Sequence, residues 1–326
     1  MSSTAPTTPT GALAAEYAVL VDGAGLLDES DRGKLALRGR DAKEFLQGQV
    51  SNDVLALEPG EGCYAALLTP KGKMLGDLRV LDTGAELLLD CERVALQAIF
   101  NRIRATAIGF DVELDKRTLQ SSLLALIGPA ARAVAGAETL PAREHSNRSI
   151  AIAGTDALVV ATDVGVDLIV ESGTPTESVR DELVRRGAVA VGAAAAECLR
   201  VERGRPRYGV DLDDSVIPQE AGLNERAISF TKGCYVGQET VARLHYRGKP
   251  NRALRGLRLG DPAEPGAQLT DPDGGRALGT VASSVVHPRL GPIALALVRR
   301  EAPPGTLLRA EGAGDATVVE LPFRVD

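Results

Sequence analysis

The sequence has no tryptophan, and aromatic residues make up only 3% of its 326 positions. Single-stranded nucleic acid is held by stacking bases on aromatic rings, so this composition argues against that class of binder. Basic residues are also short. There are 37 Lys and Arg against 44 Asp and Glu, a net charge of −7, whereas non-specific nucleic-acid binding needs a basic surface. Cysteine is sparse: Cys63, Cys91, Cys198 and Cys234 form no CxxC pair, and His145, His245 and His287 form no spaced pair with them or with each other. No resident metal is expected from such a set, nor a disulfide scaffold. The longest apolar stretch, Ala188–Ala196, is interrupted by Gly192 and is too short to span a bilayer. The first residues, MSSTAPTTPTGALAAEY, lack both a basic start and an apolar core, so no targeting segment is expected and the location is read as cytoplasmic, with no membrane partner.

Glycine and proline are plentiful, at 35 and 18 residues, which implies many turns and a β-rich architecture. The length calls for two or three domains. Residues 1–16 read as a disordered Ser/Thr/Pro/Ala tail, and residues 17–40 as short strands. Asp41 and Glu44 have the spacing of a capping box. CYAALLTP, MLGDLRVLD and AELLLDCE form an antiparallel meander, followed by a helix at about 92–105. Further strands are expected between 111 and 172. Thr174-Pro175-Thr176-Glu177 marks a helix start, and a second helix runs from Ala193 to Arg203. After residue 250, short strands broken by Gly and Pro point to a separate C-terminal β-barrel or sandwich over 251–326. The fold class is α+β, and no GxGxxG unit supports a dinucleotide site.

Three features carry chemistry. Glu202 falls between Cys198 and Leu199 on the apolar stripe of its helix, in the last turn, where the helix dipole disfavours a negative charge. Such a carboxylate needs donors. A salt bridge to Arg203, Arg205 or Arg207 is one solution, and a ligand with paired N–H groups is another. The second feature is Lys232-Gly233-Cys234-Tyr235-Val236-Gly237-Gln238-Glu239, placed between a strand-like Ile228-Ser229-Phe230 and a helix. Lys232 and the helix start would both favour a Cys234 thiolate, and such settings bring a thiol pKa from about 8.5 to roughly 3.5–7.5. The third is Asp77, a carboxylate on the strand face shared with Leu75 and Leu81. The basic run Arg243, Arg247, Lys249 and Arg252 reads as a solvated face or an anion site.

The stretch KGCYVGQETVARLHYRGKPNRAL (232–254) resembles the signature of the YgfZ family of folate-binding proteins, which are related to the glycine-cleavage T-protein, an aminomethyltransferase. FLQGQVSNDV, GCYAALLTPKGKMLGDLRV and LRVERGRPRYGVDLDDSVIPQEAGL look like family blocks in the same order. The resemblance implies a three-domain T-protein-like fold with mixed and antiparallel sheets. A folate-binding region would cover 17–250, with a ferredoxin-like insertion at about 60–140, and a C-terminal barrel would follow. It implies tetrahydrofolate or another reduced folate as cofactor, Glu202 as the pterin-binding acid and Tyr208 as an aromatic beside the ring, with Asp77 and Arg243 as further binding residues. Cys234 and Lys232 would form the reactive motif, supported by Gly233, Tyr235, Gly237, Gln238 and Glu239. The T-protein has an Asp-Asp pair where this chain has Gly76-Asp77. The YgfZ-type signature implies assembly or repair of iron–sulfur clusters, with iron–sulfur client or assembly proteins as partners. Aminomethyl transfer is the alternative, and a scaffold without folate is a third reading.

Overall fold

The computed structural model describes residues 11–171, 176–273 and 275–325. The chain divides into two compact units. One holds the chain up to Tyr17, Gly192–Leu223 and Arg243–Asp326, and the other holds Ala18–Val191 and Asn224–Ala242.

The first described element is a helix, α1 (Gly11–Asp22), where a tail and then a strand were expected. Its alanines favour helix, and Tyr17 and Leu20, three residues apart on one face, are both buried. The rest of the expected tail, residues 1–10, lies outside the described residues.

In the second unit the chain runs through β1 (Gly25–Asp28), β2 (Gly33–Arg38), α2 (Ala42–Gln49), β3 (Gly62–Leu68), β4 (Met74–Asp82), β5 (Leu87–Cys91), α3 (Leu96–Thr106) and β6 (Glu113–Lys116). It continues through β7 (Ser121–Ile127), α4 (Ala131–Ala135), β8 (Asn147–Ile152), β9 (Thr155–Ala161), β10 (Gly165–Glu171), α5 (Thr176–Arg185) and β11 (Val189–Ala190). The expected start of α5 at Thr174-Pro175 lies outside the described residues. Five strands pair in the order β3-β4-β5-β2-β6 and six in the order β11-β1-β7-β10-β9-β8. The six-stranded sheet is mixed because β11 runs parallel to β1. Strands from the 60–140 stretch enter both sheets. Arg79 of β4 joins the two, with Nε 2.7 Å from Asp90 of β5 and a second nitrogen 2.5 Å from Asp167 of β10. Asp41 does not cap α2. Its side chain takes the backbone N–H of Asp111 at 2.8 Å instead, so the expected capping box does not form.

In the first unit, α6 (Ala193–Glu202) packs on β14 (Ala277–His287) and β15 (Gly291–Arg299). With β12 (Arg252–Leu259), β13 (Gln268–Thr270), β16 (Leu307–Ala310) and β17 (Gly314–Val319), these strands close a six-stranded barrel in the order β12-β15-β14-β13-β16-β17. Closure leaves no open sheet edge. The two short pieces of the second unit's C-terminal segment are α7 (Asn224–Ala227) and the start of α8 (Gln238–Arg247). Ile228–Phe230 form no strand; they leave α7 as coil.

Candidate functional site

Each unit holds one candidate centre. In the first, α6 buries Ala195, Cys198, Leu199 and Val201, and this stripe carries Glu202 at its end. The protein itself supplies two donors, and neither is one of the three arginines. Tyr17 of α1 donates its hydroxyl to Oε2 of Glu202 at 2.5 Å, and Nε2 of His287 lies 2.9 Å from the same oxygen. The tautomer of His287 follows from its other nitrogen. Nδ1 accepts the backbone N–H groups of Arg289 and Leu290 at 3.2 and 3.1 Å, so Nε2 carries the proton and donates. Burial works to raise the Glu202 pKa, but the bonds from His287 and Tyr17 outweigh it and hold the carboxyl below its usual value. Burial and the Glu202 carboxylate push the Tyr17 phenol well above its usual value, so it remains a donor. Oε2 thus has both lone-pair positions filled, while Oε1 has no hydrogen-bond partner among the described residues.

The residues around Glu202 are held firmly. Arg200, on the opposite side of α6, is not solvated. It donates to Glu197, to Asp211 at 2.6 Å, to Ser283 of β14 at 2.6 Å and to the carbonyl of Arg205. Asp211 in turn accepts the backbone N–H of Arg207 at 2.9 Å. These bonds fix the 205–211 loop that carries Tyr208, which is half-buried and bridges to Leu212. Arg243 is exposed on α8, and Arg252 is paired with Glu220 at 3.0 Å.

In the second unit, Asp77 sits on β4, an interior strand between β3 and β5, and not at a sheet edge. The register pairs Ala66 with Asp77 and Tyr64 with Arg79, which places Tyr64 diagonally across from Asp77 on one face. Tyr64 donates its hydroxyl to Oδ2 of Asp77 at 2.6 Å. Burial raises the Asp77 carboxyl to about 6, against the opposing pull of that hydrogen bond. Burial and Asp77 push the Tyr64 phenol far above its usual value. The Arg226 guanidinium lies 5.3 Å from the Tyr64 ring centre and pairs with Glu144 at 2.5 Å. Gly76 faces the other way. A Cβ there would stand 3.0 Å from Ala95 and 3.1 Å from Ile99 of α3. The position matched to the missing acid is filled by helix packing.

In the Lys-Gly-Cys-Tyr motif the lysine is buried and the cysteine exposed. Lys232 is buried, and its ammonium donates to the carbonyls of Gln47, Val50 and Asn52 at 2.6, 2.7 and 2.8 Å. Burial pulls its pKa down to about 8, so at pH 7 it still carries its proton. All three N–H bonds are committed to the last turn of α2 and the loop after it, and none goes to Cys234. Tyr235 is buried, with its ring centre 5.1 Å from the Lys232 nitrogen. Gly237 has φ +86°, and a Cβ there would meet the Thr69 carbonyl at 2.6 Å and the Gly72 Cα at 3.2 Å. The motif glycine therefore lets two backbones touch. Gln238 and Glu239 open α8, which starts four residues beyond Cys234. Gly233 has open space around it, and Cys234 is exposed while Cys63, Cys91 and Cys198 are buried. Among the described residues, no group of three or more His, Cys, Asp or Glu side chains could hold a metal ion, and no helix is long and apolar enough to cross a membrane.

A family model described as the GCVT N-terminal domain matches residues 6–232. The chain belongs to the GCVT family. Among curated GCVT-type relatives, an aminomethyltransferase from Rubrobacter xylanophilus is 31% identical, over 95% of this chain and 85% of that protein. One from Prosthecochloris aestuarii is 30% identical over 95% and 90%. A putative chloroplastic transferase from Arabidopsis thaliana, At1g60990, is 30% identical over 76% of this chain, which spans 59% of that protein's length. Among solved structures, the glycine cleavage system aminomethyltransferase T from Bartonella henselae superposes with a TM-score of 0.85 at 26% identity, covering 98% of this chain and 91% of that one. The GCVT relationship accounts for the α+β class, the mixed and antiparallel sheets and the closed barrel. Four residues that shape the two centres, Tyr17, His287, Tyr64 and Arg226, were missed by the sequence reading. Only His287 carried a signal, as one of three histidines, and it was weighed there only as a metal ligand.

Proposed function

We propose that this chain binds a reduced folate and acts in transfer of a one-carbon unit, as an aminomethyltransferase of the T-protein type. The observation that carries the reading is Glu202, an ionised carboxylate with one oxygen fixed by Tyr17 and His287 and the other open. A pterin ring presents ring N–H and amino donors, which a carboxylate accepts with charge-assisted bonds. Asp77 supports the transfer half of the reading. A buried carboxyl lifted to about 6 holds or releases a proton near neutral pH, as a general acid–base group must. The aminomethyltransferase relatives favour the same reaction. The test supplies tetrahydrofolate and an aminomethyl-loaded carrier protein. Release of methylenetetrahydrofolate and ammonia at about one per second or faster is expected, with the rate lost in Asp77→Asn. Folate binding without turnover would reject the transfer half, and no folate binding would reject both.

One observation favours a second reading, a folate-binding accessory protein for iron–sulfur clients of the YgfZ type. Cys234 is the exposed cysteine, on a loop whose neighbours Lys232, Tyr235 and Gly237 are anchored. One thiol cannot hold a cluster by itself, so the remaining ligands would come from the client. Deletion of the gene followed by rescue with Cys234→Ala separates the readings. Failure to restore cluster-enzyme activity supports the accessory role, and full rescue removes it.

A further inference from the structure

The bonds to Glu202 are lopsided, and the lopsidedness has a consequence for ligand choice. Both protein donors converge on Oε2, from residues 185 and 85 positions away in sequence. Neither is free to turn elsewhere. His287 is fully buried and fixed through Nδ1 by two backbone N–H groups. Tyr17 is buried, its ring set edge-on to that of His287 at 4.7 Å. The neighbour of Tyr17 adds to the fixation: Glu16 accepts the backbone N–H of Gly192 at 2.8 Å, at the start of α6. One stretch of α1 thus holds α6 at its first turn and at its last.

We propose that Tyr17 and His287 are positioning residues that lock Glu202 so that Oε1 alone is offered to the ligand. This rests on the reading of Glu202 as the folate clamp and goes further. With Oε2 saturated, the two donor hydrogens of a pterin edge must share Oε1, as a forked acceptor, and do not take one oxygen each. A carboxylate has about four lone-pair positions, two per oxygen, and the protein occupies the two on Oε2. The two positions on Oε1 take both donors of such an edge, and a ligand with a single N–H donor there forfeits one of the two bonds. The site thus selects for an amidine-like edge with paired N–H donors, and the pterin is one member of that class.

The experiment is a double-mutant cycle on folate affinity. Dissociation constants for tetrahydrofolate are measured by calorimetry for wild type, Tyr17→Phe, His287→Ala, His287→Gln and Glu202→Gln, and for Tyr17→Phe combined with Glu202→Gln. Tyr17→Phe is expected to weaken binding about tenfold in the wild-type background and to change nothing in the Glu202→Gln background, because the hydroxyl acts only through the carboxylate. His287→Gln, which keeps an N–H donor, is expected to restore most of what His287→Ala loses. Equal losses in both backgrounds would overturn the proposal, since they would mark a merely structural role. So would the absence of any loss.

A second readout does not depend on folate. Carbon-13 titration of the Glu202 carboxyl should show its pKa rising in Tyr17→Phe and in His287→Ala. An unchanged titration would overturn the positioning role. If Glu202→Gln binds folate as tightly as wild type, the clamp reading falls, and the carboxyl titration still decides the positioning role by itself.

Discussion

Replacing Asp77 with asparagine should stabilise the protein at neutral pH, although it removes a charge from a hydrogen-bonded pair. Asp77 is 5% exposed, and burial lifts its carboxyl from 3.8 to about 6 even with Tyr64 donating to it. Between those values the folded protein binds more protons than the unfolded chain. Its stability therefore falls as pH rises through that window, and above pH 6 the folded state carries the full cost of an ionised Asp77. The gap is roughly two pH units at about 1.4 kcal/mol each, so the cost is at most about 3 kcal/mol. Asparagine is nearly isosteric and uncharged, and its Oδ1 still accepts from Tyr64. Urea unfolding followed by circular dichroism at pH 4 and pH 7.5 should show Asp77→Asn more stable than wild type by about 1–3 kcal/mol at pH 7.5. The difference should nearly vanish at pH 4, where the folded wild type is already protonated. A loss of stability at pH 7.5, or a difference that does not change with pH, would refute the reasoning. The gain would also be a signature of function, since a site that keeps a destabilising carboxyl in place trades stability for chemistry.

Lys232→Met should destabilise by about 3–5 kcal/mol, because three backbone carbonyls lose a charged donor at once; a shift below about 1 kcal/mol in chemical denaturation would show that the segment holds without it. Native protein treated with iodoacetamide at pH 7.5 should label Cys234 first, as read by mass spectrometry. The other thiols should wait for unfolding, since burial pushes Cys63 to about 12 and Cys198 to about 11; equal labelling of all four would contradict the burial pattern. Gly76→Asp, which restores an acid pair, should cost more than about 2 kcal/mol. Its carboxylate would face Ala95 and Ile99, and no gain in transfer rate should accompany it.

Much of the fold was legible in local pattern. The meander over β3, β4 and β5, the helix after it and the C-terminal barrel follow from strand alternation and from turns marked by Gly and Pro. The failures are also local in origin. From residue 17 the chain alternates short apolar runs with turn residues, but the alanines of GALAAEYAVLVD and the burial of Tyr17 and Leu20 decide for helix. Asp41 has cap spacing, yet a competing backbone donor at Asp111 takes its side chain. What no window could show is pairing at long range. The motif lysine looked like a partner for the next cysteine because it lies two residues away. Its three acceptors lie about 180 residues upstream, and a buried ammonium goes where carbonyls converge.

The two acids show why residue type in a pattern is only half of a site. Glu202 was visible as a misfit, a carboxylate on an apolar stripe at the wrong end of a helix dipole. Asp77 was visible only as one acid on a strand. Their environments then push them in opposite directions. Two donors hold Glu202 ionised below its usual pKa, while burial lifts Asp77 toward neutrality with a single tyrosine as partner. Titratable groups driven apart in this way serve different ends. An acid fixed in its charged form is suited to gripping N–H donors and poorly suited to moving protons. An acid poised near pH 6 can do the reverse. On the function proposed above, Glu202 suits recognition and Asp77 proton transfer, a division that neither residue's sequence neighbourhood contains, because Tyr17 and His287 set the one and burial sets the other.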